Sequence, residues 1–97
     1  MKGTTLSNGT HVTAAHNNTR EVRGVSQGKS VVVLVSYNTP VAVQYDGGQA
    51  YHTQVKYSVT TSKHIRQWLA GRQNGGAVSQ ADIDAALVDL TGWTSLP

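Results

Sequence analysis

The strongest pattern in the chain is the run SVVVLVSY at residues 30–37, with five consecutive apolar positions from Val31 to Val35. Such a run predicts a strand covered on both faces or lying at the centre of a sheet. The segment before it, TREVRGV at 19–25, alternates weakly and predicts a further strand, and SQGK at 26–29 reads as a turn. Asn38-Thr39-Pro40 interrupts the apolar run, because proline has no N–H to give to a ladder. VAVQY at 41–45 then places Val41, Val43 and Tyr45 on one face, and Asp46-Gly47-Gly48 is a hairpin signal. The return strand is AYHTQVKYSV at 50–59. Its parity sets Tyr51, Thr53, Val55, Tyr57 and Val59 against His52, Gln54, Lys56 and Ser58. The tyrosines are expected in the core, in the place of phenylalanine.

The period then changes. Ile65, Trp68 and Leu69 fall at helical spacing, with Thr60, Thr61 or Ser62 as the cap and Gly71 as the left-handed terminator. GRQNGGA at 71–77 reads as a flexible linker. A second helix opens on Ser79-Gln80-Ala81-Asp82, a capping box in its Asp form, with Val78 stapled against Ile83. Its apolar face is Ile83, Ala86, Leu87 and Leu90, and Gly92 ends it with Trp93 folded back on the last turn. Residues 1–18 have few anchors beyond Leu6 and Val12 and predict a mobile arm or a short edge strand. The expected fold is α+β: a small three- to four-stranded antiparallel meander followed by two short helices. Within one domain it divides into an N-terminal arm at 1–28, the meander and first helix at 29–72, and the linker and C-terminal helix at 73–97.

Composition sharpens this picture. Thirteen valines and no phenylalanine favour β-structure. Charged residues are 13% of the chain, below the roughly 25% of ordinary domains. The net charge of +3 conceals an asymmetry: residues 1–72 hold all eight Lys and Arg against Glu21 and Asp46, a net of +6, while 73–97 hold Asp82, Asp84 and Asp89 and no basic residue, a net of −3. The basic part suits an anionic partner, or it pairs with the acidic segment in the same chain or a neighbouring subunit. There is no cysteine, which excludes disulfides and thiolate chemistry and fits a reducing compartment. No apolar stretch approaches the 18 or so residues of a membrane helix, and no signal-peptide core is seen, so no membrane association is expected.

The stretch 35–69 resembles a family of short, uncharacterised bacteriophage proteins. Ser36, Tyr37, Thr39, Pro40 and Val41 match a Ser-Tyr-x-Thr-Pro-Val segment. Tyr57, Ser58, Thr60, Thr61, Ser62, Lys63, His64 and Ile65 match a Tyr-Ser-x-Thr-Thr-Ser-Lys-His-Ile helix start. The resemblance covers about a third of the chain. It implies a phage origin and action in the cytoplasm of a host bacterium, where small accessory proteins redirect host machinery or block defence; it lends no activity of its own.

The candidate chemistry sits at the same helix start. Helix dipoles favour negative charge at the N-terminus, yet Lys63 and His64 stand there, a mismatch of about 0.3–1 kcal/mol. Hydroxyls, free N–H groups and cations together make an anion site, with Thr60, Thr61, Ser62, Lys63, His64 and Arg66 as its residues. The plainer reading is a Ser/Thr cap with solvated Lys and Arg, and a neutral His64 bonded to a carbonyl.

Metal and cofactor chemistry is not expected. His11, His16, His52 and His64 lack carboxylates at useful spacing, and no phosphate loop or nucleophile elbow is present. Five carboxylates, three on one helix, give no hydrolytic pair, so the chain is expected to be non-catalytic. Three functions follow as expectations: an accessory protein binding nucleic acid or a phosphate-bearing signalling nucleotide, with counter-defence as one role; an inhibitor occluding a host defence or replication complex through Trp68, Trp93 or an edge strand; or a virion structural component. An uncovered edge of a Val-rich sheet also predicts a homo-oligomer.

Overall fold

The computed structural model describes residues 3–6, 8–13 and 17–94. Its centre is the apolar run, which forms β4 (Lys29–Ser36). Both faces of β4 are covered, as the unbroken run predicts: Val31, Val33 and Val35 pack to one side, Val32 and Leu34 to the other. Before it lie β1 (Thr4–Thr5), β2 (His11–Val12) and β3 (Thr19–Ser26); after it come β5 (Thr39–Tyr45) and β6 (Gln49–Thr53). Then follow helix α1 (Val59–Leu69), strand β7 (Gln73–Val78) and helix α2 (Gln80–Thr91).

The expectation of a three- to four-stranded antiparallel sheet is corrected. Among the described residues the strands form one seven-stranded sheet in the order β1-β2-β3-β4-β5-β6-β7. All neighbours are antiparallel except β6 and β7, which run parallel. Two features hid the extra strands. β1 and β2 are two residues each, too short to show a period. They are tied to the far side of the molecule, where Asn8 Nδ2 and Thr10 Oγ1 each donate to the Leu90 carbonyl at 3.0 Å. β7 is QNGGAV, polar and glycine-rich, and was expected as a linker. Each glycine has its own reason: a Cβ on Gly75 would land in the ring of Tyr51 on the neighbouring strand, and Gly76 takes a positive φ of 103°. Strand pairing also runs across both expected segment boundaries, β3 with β4 at one and β6 with β7 at the other.

Turn chemistry sets the hairpins. Gln27 and Gly28 both take positive φ, at 53° and 77°, and so do Asp46 and Gly47, at 50° and 68°. Asp46 further accepts the Ser30 N–H at 2.8 Å. The break expected at Asn38-Thr39-Pro40 is a tight turn at Tyr37-Asn38, and Pro40 already lies in β5 at a bulge. Val35 pairs with Pro40 but Leu34 with Ala42, so Val41 is the extra residue. Val41 therefore packs with the α1 side while Val43 packs with the α2 side, and the two do not share a face.

The helices cover opposite faces. α2 buries Ile83, Ala86, Leu87 and Leu90 against Val22, Val31, Val33, Val35 and Val43. Its cap is the expected one: Ser79 accepts the Asp82 N–H, and Gly92 closes the helix at φ 81°. α1 packs Trp68, with Ile65 and Leu69 beside it, on Leu34, Val41, Ala42 and Ala50. The return strand stops at Thr53, and residues 54–58 cross over to α1. The expectation of core tyrosines is corrected here: Tyr37, Tyr45 and Tyr57 are exposed, and only Tyr51 is partly buried. Among the described residues no helix is long and apolar enough to cross a membrane.

Candidate anion-binding cleft

β6, α1 and β7 form a β–α–β unit, the arrangement in which open sheets place ligands beyond the carboxyl ends of their strands. Its helix begins earlier than expected. Ser58, not Thr60, Thr61 or Ser62, is the N-cap: its Oγ accepts the Thr61 N–H at 3.1 Å, and its carbonyl accepts the Ser62 N–H at 3.0 Å. Lys63 and His64 thus lie in the second turn, away from the first free N–H groups, and the mismatch with the helix dipole is smaller than the sequence implied.

A rotation of about 100° per residue separates the six expected site residues into three directions. Thr61 and His64 turn inward with Trp68 and are buried. There Ser36 Oγ lies 3.1 Å from Thr61 Oγ1 and 2.9 Å from His64 Nδ1, so His64 is held by a serine hydroxyl rather than by a carbonyl. Thr60 and Lys63 point outward and are exposed. Ser62 and Arg66, four residues apart, turn toward β6 and β7.

The last pair lines a cleft of about 360 Å³ between α1 and the parallel strands. β6 and the crossover supply His52, Gln54 and Lys56. β7 adds Asn74 and Ala77, and Val55, Ile65 and Leu69 form an apolar wall. His52 Nδ1 donates to the Thr53 carbonyl at 3.1 Å, which fixes the ring and the tautomer. Among the described residues no carboxylate lines the cleft. Among the described residues Lys56, Lys63 and Arg66 make no ion pair; the two ion pairs present both use Glu21. His52, Gln54 and Lys56 were not among the expected site residues, although strand parity had already put them together on one face.

A second polar cluster fixes the far end of α1. Glu21 accepts the Trp68 indole N–H at 2.7 Å and pairs with Arg23 at 2.8 Å and Arg72 at 3.3 Å. Arg72 lies 4.1 Å from the Trp68 ring centroid and donates to Gln44 Oε1 at 3.1 Å. Burial opposes ionisation of Glu21, yet the bonds from Trp68 and Arg23 and the charges of Arg23 and Arg72 outweigh it, and the carboxyl lies below its ordinary value. Trp68 is therefore a buried structural residue, and its indole is not free for a partner; Trp93 is exposed. His16 lies outside the described residues.

No curated protein and no solved structure gives a significant match to the chain. A family model does match over residues 1–85, and the chain belongs to that family, described as "Family of unknown function (DUF8033)".

Proposed function

We propose that this is a non-catalytic binding protein for a small phosphate-bearing anion, a nucleotide in the first instance, held in the cleft between α1 and the β6–β7 pair. The observation that carries the reading is the cleft's one-sided charge. Lys56 and Arg66, together with His52, line a concavity to which the described residues contribute no carboxylate. Cations without protein partners are positioned for a guest's phosphate oxygens, and Arg66 can engage them bidentately. The volume is at the small-ligand end of the usual range of about 300–1,000 Å³. Gln54 and Asn74 offer amides, and Val55, Ile65 and Leu69 offer a surface for an apolar or planar moiety. Of the six residues expected from the sequence, Ser62 and Arg66 line this site. The setting inside an infected bacterial cell is supported by the resemblance of residues 35–69.

Equilibrium binding of inorganic phosphate, nucleoside mono-, di- and triphosphates and a short single-stranded oligonucleotide tests the reading. Charge-assisted contacts of about 1.5–3 kcal/mol make Lys56→Gln and Arg66→Gln each weaken the best ligand about 10- to 100-fold. Binding of the oligonucleotide alone, with a steep salt slope, would move the assignment to nucleic acid. Binding of none of them would remove it.

A second reading has its own observation. Tyr37, Tyr57, Val55 and Val59 are exposed around the entrance to α1, Val59 at 86%. Such a patch suits docking on a host protein complex, with aromatic anchors. Capture of a host protein that is insensitive to salt and lost in Tyr57→Ala would favour this reading over the anion cleft.

A further inference from the structure

The charge asymmetry of the sequence becomes a polarity of the fold. α1 and α2 cover opposite faces of one sheet. The outward side of α1 presents Val59, Lys63 and Ala70, with the exposed Arg66 at its border with the cleft. The outward side of α2 presents Ala81, Asp82, Ala85, Val88 and Asp89, also exposed. Neither set of charges is paired within the chain: among the described residues the ion pairs belong to Glu21 alone. The acidic stripe of α2 does not meet Lys63 or Arg66, because the sheet lies between them; Lys29 lines a pocket with Asp89 but forms no ion pair with it.

The α2 side is also shaped to receive side chains. A groove of about 340 Å³ runs beside the helix, with Asp82 and Asp89 on its rim and Tyr45 and Tyr51 among its walls. Burial, then the charges of Asp89 and Asp82, push the Tyr45 phenol above its ordinary range, so both carboxylates act on the same spot. Carboxylates beside aromatic faces suit a lysine or guanidinium head. The stem of such a side chain would rest on Ala85, Ala86 and Val78.

We propose that the occupant of this groove is a second copy of the chain, whose Lys63 and Arg66 seat on Asp82 and Asp89. The helices match in length, 11 and 12 residues, and both stripes mix small or apolar residues with charges of one sign. Because the donor and acceptor faces are different surfaces on opposite sides of the sheet, the contact is heterologous, and copies add head to tail rather than closing as a two-fold dimer. A contact of one helix on another falls below the roughly 1,200 Å² of a stable interface, so assembly is concentration-dependent and sensitive to salt. It needs no ligand; Arg66 also lines the anion cleft, so the two readings are told apart by Lys56→Gln, which weakens the anion and leaves assembly unchanged, and by Asp82→Asn/Asp89→Asn, which abolishes assembly and leaves the anion cleft intact.

The test is sedimentation equilibrium of the full chain, purified free of nucleic acid, across protein concentration and at low and high salt. In low salt the average mass rises with concentration beyond two chains; in high salt it falls back to the monomer's 10.3 kDa. Asp82→Asn/Asp89→Asn keeps only the basic face, and Lys63→Gln/Arg66→Gln keeps only the acidic one. Each variant alone is monomeric, while their equimolar mixture forms a pair and stops there. All four residues are exposed, and circular dichroism verifies that the variants are folded. A wild type that stays monomeric, a variant that still self-associates alone, or a mixture that stays monomeric overturns the proposal.

Discussion

Glu21→Gln is the sharpest test of how α1 is held on the sheet. The wild-type carboxylate, largely shielded at 22% side-chain exposure, accepts the Trp68 indole N–H and faces Arg72 on one oxygen and Arg23 on the other. Glutamine keeps one acceptor for Trp68 but loses the charge. The Arg23 pair contributes little, because that guanidinium is about half exposed, at 53%. The Trp68 and Arg72 contacts are charge-assisted and shielded, and such bonds contribute about 1.5–3 kcal/mol each. Allowing for the bond that glutamine retains, the substitution should destabilise the domain by roughly 2–3 kcal/mol, or a melting point lower by on the order of 10–20 °C for a chain of this size. The sign with pH follows from the lowered carboxyl. The unfolded chain takes up its proton first, near the ordinary value of 4.5, so the stabilisation is fully present above that pH and fades as pH falls through the folded-state value. Urea unfolding of wild type and variant, followed by tryptophan fluorescence in a Trp93→Phe background, should show a gap at pH 7 that closes on acidification toward pH 3. A gap below about 0.5 kcal/mol at neutral pH, or one that is constant with pH, would refute the reasoning.

Other substitutions probe separate parts of the account. Gly75→Ala drives a methyl group into the Tyr51 ring and should destabilise by about 1–3 kcal/mol in urea unfolding, with much of the loss recovered when Tyr51→Ala is added. Ser58→Ala removes the true cap of α1 and should cost about 1 kcal/mol in the same assay, while Thr60→Ala and Ser62→Ala stay within about 0.5 kcal/mol. Gln27→Asn puts a residue tolerant of positive φ into the β3–β4 turn and should raise stability by roughly 0.4–1 kcal/mol.

What was legible in the sequence was what a core demands. The run at Val31–Val35 had to be covered twice, and it is. The second helix carried a cap, an apolar face and a terminating glycine, and all three stand where expected. The sheet's extent was not legible, because edge strands owe their place to pairing rather than to burial of their side chains. Thr4–Thr5 and His11–Val12 are too short for a period, and Gln73–Val78 is strand because Tyr51 and the β6 backbone lie beside it. The bulge at Val41 shifted parity within β5, and the early end of β6 at Thr53 left Tyr57 and Val59 in solvent. For the site, grouping residues by sequence proximity at the helix start put together side chains that helical rotation separates, with Thr61 and His64 going to the sheet. Grouping by strand parity, with His52, Gln54 and Lys56 on one face, pointed to the cleft more directly.

The most direct test of the central claim is a two-dimensional amide NMR titration of the full chain with a nucleoside diphosphate. The account predicts saturable shifts concentrated at residues 52–56, 62–66 and 74–77, weakened about 10- to 100-fold in Arg66→Gln. Shifts confined to the α2 face or to the buried Ser36–His64 pair, or no shift at millimolar ligand, would contradict it.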